Sequence, residues 1–266
     1  SFLSTSQLRS SVVAHATSLG YAIRSKTSSR GTVNISVNLL SVANRPATVA
    51  LPSGFKFNAA VGDVTYTFQT RQTYYGSDDG NGVYQFKDNE GNANIVIYEG
   101  QPTLKTFLVG EYEDNPIYVI PDSTIDADTV TVKVYPTAAS NDFTTYQNIV
   151  NLTTISSNST VYILKESPNG YFELSFGDGE TFGIAPSAGN KIEVQYLSTK
   201  GDIANGARTF TPVTQFTDGV ITSPINVVTY VNSIGGDVKE SIESIRKNAP
   251  FQYATQNRMV TASDYS

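Results

Sequence analysis

The chain has 266 residues, enough for one large or two ordinary domains that each bury a core, and only 16% of them are charged against 39% hydrophobic. Its net charge is −6 and its Lys and Arg are not clustered, which argues against a phosphate-binding surface and so against nucleic acid as a partner. With no cysteine there are no disulfides or thiolate metal sites, and no apolar run approaches the roughly 20 residues needed to span a bilayer, so no membrane partner is expected.

In chain order, Leu8, Val12, Val13, Ala16 and Leu19 fall at helical spacing, and Gly20 is suited to end that helix. From Thr32 the period changes to two: Val33, Ile35, Val37 and Leu39 alternate with Asn34, Ser36 and Asn38, as a strand with one buried face requires. Pro46 and Pro52-Ser53-Gly54 break the chain before Phe55 and Phe57, and Val64, Tyr66 and Phe68 alternate with threonines. The acidic, glycine-rich run Gly76 to Gly82 lacks the terminal glutamate of a calcium loop and reads as a hairpin tip. Alternation resumes at Ile95 and Ile97, at Tyr118 and Ile120, and at Val130, Val132 and Val134, whereas Ser140 to Asn158 shows no clear period.

Phe172, Leu174 and Phe176 then face one way and lead into Gly177-Asp178-Gly179, read as a tight type I′ hairpin turn because Asp-Gly tolerates the positive φ such turns demand. Further strands are expected at Ile192 to Tyr196, Thr209 to Phe216 and Ile225 to Val231. Near the end, Asp237 with Glu240 forms a capping box for a helix whose apolar stripe is Val238, Ile242 and Ile245. Pro250 is expected to stop that helix near Asn248, and Thr261 with Asp264 to start another that the chain does not complete. With its single methionine at Met259, the chain reads as a piece of a longer polypeptide.

Catalytic chemistry finds little support. His15 is the single histidine, so a zinc site or hydrolase triad lacks partners. There is no G-x-S-x-G elbow, P-loop or G-x-G-x-x-G run, and no catalytic, cofactor-binding or metal-ligating residue is assigned. Sixteen tyrosines and the chance that distant carboxylates converge keep open an alternative class, a carbohydrate-binding or depolymerising surface β-protein.

Three stretches resemble a known family. FGDGETFGIAPSAGNKIEVQY (Phe176 to Tyr196) with GDIANGA (Gly201 to Ala207), ESIESIRKNAPFQYATQNRMVTASDY (Glu240 to Tyr265) and RPATVALPSGFKFNAAVGDVTYTF (Arg45 to Phe68) are similar to baseplate J-like proteins of contractile phage tails. Ala254 departs from the arginine that many relatives place before the Thr-Gln pair, and Gly76 to Gly82 fits no family pattern. The resemblance implies a structural, non-enzymatic virion protein, assembled in the host cytoplasm, that associates with itself as a homodimer and as a ring around the baseplate hub. It also implies contacts with other baseplate wedge proteins and rearrangement when the sheath contracts. Val238, Ile242, Ile245, Arg246 and Arg258 are the residues singled out for such an interface, with burial inside the chain the competing role for the two isoleucines.

The expected fold is mainly β with flanking helices, a β-rich α+β chain of two β-domains, the second inserted into the first. The expected boundaries are a helical segment 1–28, a first domain 29–105 plus 207–234, an inserted domain 106–206, and a C-terminal helix and loop 235–266.

Overall fold

The computed structural model describes residues 8–111 and 115–263, with residues 253–263 described by their backbone alone. By internal contacts the chain divides into unit I, Lys26–Pro102 with Leu197–Val238, and unit II, Ser1–Ser25, Thr103–Tyr196 and Lys239–Ser266. Helix α1 (Arg9–Ser18) precedes the strands β1 (Arg30–Asn38), β2 (Thr48–Leu51), β3 (Lys56–Val61), β4 (Val64–Thr70), β5 (Tyr74–Asp78), β6 (Val83–Lys87) and β7 (Ile95–Glu99). Then come β8 (Gln101–Leu108), β9 (Tyr118–Ile120), β10 (Thr131–Tyr135), β11 (Thr144–Asn148), β12 (Val161–Glu166), β13 (Phe172–Phe176) and β14 (Lys191–Ser198). The chain closes with β15 (Thr211–Pro212), β16 (Phe216–Asp218), β17 (Ile221–Ser223), β18 (Ile225–Ile234) and helix α2 (Ile242–Ser263). The fold is thus mostly β with flanking helices, as the period-two runs require.

Unit I is built around β1. Its Val33, Ile35 and Val37 are buried with intervening Asn34 and Ser36 half-exposed, and β18 runs antiparallel along one side while β7 and β6 share the other. Phe57, Phe68, Tyr84, Phe86, Ile95 and Ile97 complete the core on the same face. Gly31 is a glycine because a Cβ there would lie 2.4 Å from the Phe210 ring, which packs edge-on against Phe68 at 5.0 Å. Gly76 to Gly82 spans the end of β5 and its turn into β6, a hairpin held by Asp78, whose Oδ1 accepts from the N–H groups of Gly80 and Gly82.

Unit II holds a seven-stranded sheet in the order β8-β14-β10-β11-β12-β13-β9, antiparallel at the described pairings except for β11 beside β12. Its core gathers Ile120, Val132, Leu174, Phe176, Ile192, Val194 and Tyr196. The aperiodic stretch from Ser140 contains β11 and a short 3-10 turn at Ile149–Asn151, too brief to leave a legible period. A separate small core joins the helices: Val12 and Ala16 of α1 meet Ile245 and Ala249 of α2. By contacts the helical ends group with the strands of Thr103–Tyr196.

Two local expectations are corrected. The C-terminal helix does not start at a capping box on Asp237 and Glu240 but at Ile242, where the Ser241 hydroxyl accepts from the Ser244 N–H at 3.1 Å as the cap. Nor does it stop before Pro250: α2 runs on through Pro250 and Thr261 to Ser263, so Thr261 begins no new helix, while Asp264 lies outside the described residues. An interior proline costs about 3 kcal/mol, yet full burial of Ala249 on the stripe of Ile242 and Ile245 holds the helix up to it.

The other correction concerns Gly177-Asp178-Gly179. A type I′ turn needs positive φ at both central residues, but Asp178 does not have it and only Gly179 does, at 74°. No strand from Phe182 pairs with β13, which lies between β12 and β9. The segment is a longer loop closed by Asp178 N–H to the Phe182 carbonyl and Gly179 N–H to the Gly183 carbonyl. Gly177 is needed for a different reason: a Cβ there would sit 2.1 Å from the Phe182 carbonyl oxygen.

Candidate interaction surface

The C-terminal segment begins in unit I, where Asp237 pairs with Thr27 through two backbone hydrogen bonds of 3.1 Å and its carboxylate accepts from Val238 N–H. That isolated bridge pulls Asp237 out of any helix cap. Val238 is 53% exposed.

In unit II, Glu240 is a buried acceptor and not a helix-surface residue. It is 3% exposed and takes hydrogen bonds from the Tyr21 hydroxyl at 2.7 Å, the Arg24 N–H at 3.1 Å and the Ser244 hydroxyl at 2.6 Å. Burial pushes its carboxyl up, but the donors Ser244, Tyr21 and Arg24 outweigh that and hold it below the ordinary carboxylate value. The Tyr21 hydroxyl is raised in turn, first by burial and then by Glu240.

Glu166, at the end of β12, lies beside it with its side chain 0% exposed. Arg9 reaches its carboxylate with two guanidinium nitrogens, at 3.2 and 3.0 Å, and Lys239 approaches at 3.4 Å. Lys239 also donates to the Gly170 carbonyl at 2.8 Å and stands over the Phe172 ring. Burial pulls its amine below the ordinary lysine value, against the pull of Glu166. A cavity of about 290 Å³ adjoins this group, lined by Tyr21, Ile23, Ile149, Leu164, Glu166 and Phe172 among others.

Of the residues singled out for an interface, Ile245 is fully buried within the chain and Ile242 half-buried against the same small core. Arg246 is half-buried, its Nε without a hydrogen-bond partner among the described residues, and the Arg258 side chain lies outside them. Exposed apolar side chains occur in both units, and β18 carries several on one strand: Val228 is 54%, Tyr230 65% and Ile234 60% exposed. Sequence reasoning recognised β18 as a strand, but exposure of its apolar residues depends on sheet order, which periodicity does not carry.

Asp178 is committed to its loop: its Oδ1 accepts from the N–H groups of Glu180, Thr181 and Phe182, and those donors bring the carboxyl down to about 2. His15 is half-buried on α1, and no group of three or more His, Asp or Glu able to hold a metal occurs among the described residues. Among the described residues no helix is long and apolar enough to cross a membrane. What the molecule presents, then, is exposed apolar strand surface and buried ionic clasps.

No protein-family model matches the chain. A distant likeness, at 12% identity and a TM-score of 0.30, covers 92% of this chain and 42% of a chain in the cryo-EM structure of the anti-feeding prophage baseplate; a likeness at that score carries no weight for the fold. The sequence comparison is firmer: over 286 aligned positions the chain is 29% identical to the baseplate wedge protein gp6 of Enterobacteria phage T4, and it spans 41% of that protein's length. Along all of its own length, this chain is similar to that phage baseplate wedge protein.

Proposed function

We propose that the chain is a structural part of a contractile phage tail baseplate wedge. It associates with itself and with other wedge proteins in a ring around the hub, rearranges when the sheath contracts, and makes or breaks no bonds in a substrate. It resides in the virion and is put together in the host cytoplasm. The observation that carries this reading is the similarity to gp6 across the whole chain. The exposed apolar side chains of unit I suit a protein that works through the surfaces it offers to neighbours.

The test is light scattering of the protein alone and mixed with other baseplate wedge proteins, followed by electron microscopy of the mixtures. Larger species that incorporate this chain support the reading. A particle that stays single in every mixture, together with release of reducing sugar from bacterial surface polysaccharide, would replace it with the depolymerising alternative.

A further inference from the structure

We infer that the outer edge of β18 pairs antiparallel with β18 of a second copy of this chain, extending the unit I sheet across a two-fold axis near Val227. This deepens the self-association proposed above and rests on it.

Three observations point there. First, among the described residues β18 pairs with β1 alone, so its other edge carries unpaired backbone groups. Its far end is covered, where Ser233 exchanges hydrogen bonds with Gly206 and Ala207, and β15 and the 3-10 turn Gly201–Ala204 also come against the strand. Second, the core is unfinished beneath this edge: Val33, Ile35 and Val37 are at most 1% exposed, whereas Val227 and Ile225 opposite the last two pack against the same core but remain half-exposed. A further strand with apolar residues at alternate positions would close it. Third, the strand lacks every usual guard of an exposed edge over its regular part. Ile225 to Ile234 contains no Lys, Arg, His, Asp, Glu or Pro, and the register irregularities fall beyond Thr229, leaving Ile225 to Thr229 in unbroken register with Val37 to Val33.

The occupant follows from charge and pattern. A chain of net charge −6 repels its own copies, and an uncharged strand is where two of them meet without opposing like charges. Centred on Val227, antiparallel pairing sets Ile225, Val227 and Thr229 against their counterparts in reverse order on the core side, so the strand supplies the apolar alternation its own edge lacks. A contact this short is weak by itself and gains strength from repetition in an assembly.

The absence of native cysteine makes the test clean. A Val227→Cys variant should form a disulfide-linked dimer under mild oxidation, because symmetric pairing places that residue opposite itself. A Thr145→Cys control, exposed on β11 of unit II, should not. Independently, Val228→Lys, at an exposed outer-face position, should raise the self-dissociation constant in sedimentation by at least about ten-fold with unchanged melting. Self-association that persists in Val228→Lys, with no cross-link at position 227, overturns the inference and leaves the proposed function standing on another surface. Cross-linking of Val227→Cys only to a different wedge protein overturns the second copy as occupant. A chain that is single at all concentrations overturns both the inference and the self-association it rests on.

Discussion

Units I and II each sink a glutamate into their interior, one held chiefly by hydroxyl and amide donors and the other by direct ion pairs. In unit I, Glu99 at the end of β7 is 3% exposed and accepts from the Thr199 hydroxyl at 2.6 Å and the Lys200 N–H at 3.1 Å, and burial, only partly opposed by these donors and by the charges of Lys200 and Lys26, raises its carboxyl. In unit II, Glu166 is held by two cations, Arg9 from α1 and Lys239 from the approach to α2. The contrast follows from what each carboxylate has to join. Unit I is closed by strand alternation around β1, so Glu99 has only to tie the end of β7 to the turn after β14. In unit II the helices enter from sequence positions more than two hundred residues apart and share only a small core, so an ionic clasp to the sheet supplements thin apolar burial.

That difference is broken most severely at Glu166. Glu166→Ala leaves Arg9 and Lys239 facing each other across a buried gap, and removing one partner from a buried ion group costs about 3–5 kcal/mol. Chemical denaturation should show that loss, with hydrogen exchange accelerated in α1 and α2 while the amides of β1 stay protected. Equal loosening of both units would mean that Glu166 does not act locally.

A smaller effect is expected at Gly177, in the loop that follows β13 of unit II. Gly177→Ala drives a methyl into the Phe182 carbonyl, an overlap of the kind that costs about 1–3 kcal/mol. The loop to Gly183 should become more open to protease, with the helical core unaffected. Gly179→Val is the companion test, because Gly179 holds φ at 74° with nothing near its missing Cβ, so only backbone strain is involved there.

How much of this was legible in the sequence differs by unit for the same reason. Unit I announced itself through β1, because one buried face forces strict alternation from Val33 to Val37, and the signal needs no partner to be seen. The sheet of unit II was legible where strands have that property, as at Phe172 to Phe176, and silent at Ser140 to Asn158, where a five-residue strand runs into a 3-10 turn. The helical part misled. Glu240 sits at capping-box spacing from Asp237, yet the bridge to Thr27 and the donors from Tyr21 and Arg24 claim both residues for long-range contacts. Pro250 obeys a local rule that the packing of Ala249 overrides. Asp178 was placed correctly in a turn for the wrong geometry, since its side chain caps three N–H groups without the residue itself taking positive φ.

The mildest test exploits the opposite shifts of Glu99 and Glu240, both 3% exposed and both ordinarily near 4.5. Glu99 is raised in the folded chain, so its contribution is fully present below that ordinary value and is lost as pH climbs through the higher folded one. Glu240 is lowered, so its contribution is present above the ordinary value and is lost as pH falls through the lower folded one. Glu240→Gln should therefore weaken α2 most at neutral pH, with the deficit shrinking on acidification below 4.5 as the native carboxylate also protonates. Glu99→Gln should show the reverse: least harm, or a small gain, at neutral pH, where the native chain bears a desolvated charge that the amide does not. Regional hydrogen exchange, followed at Lys200 to Ala204 and at Ser244 to Asn248 from pH 3.5 to 7 and corrected for intrinsic rates, reads both at once. The half-buried Asp78 and Asp88 of unit I are also lowered and oppose Glu99 on acidification, which is why the comparison is made between each variant and the native chain at each pH and not between the units directly. Parallel pH trends for the two variants would mean that hydroxyl and amide donors stabilise the Glu99 carboxylate as well as they do Glu240, and that the two interiors are electrostatically alike.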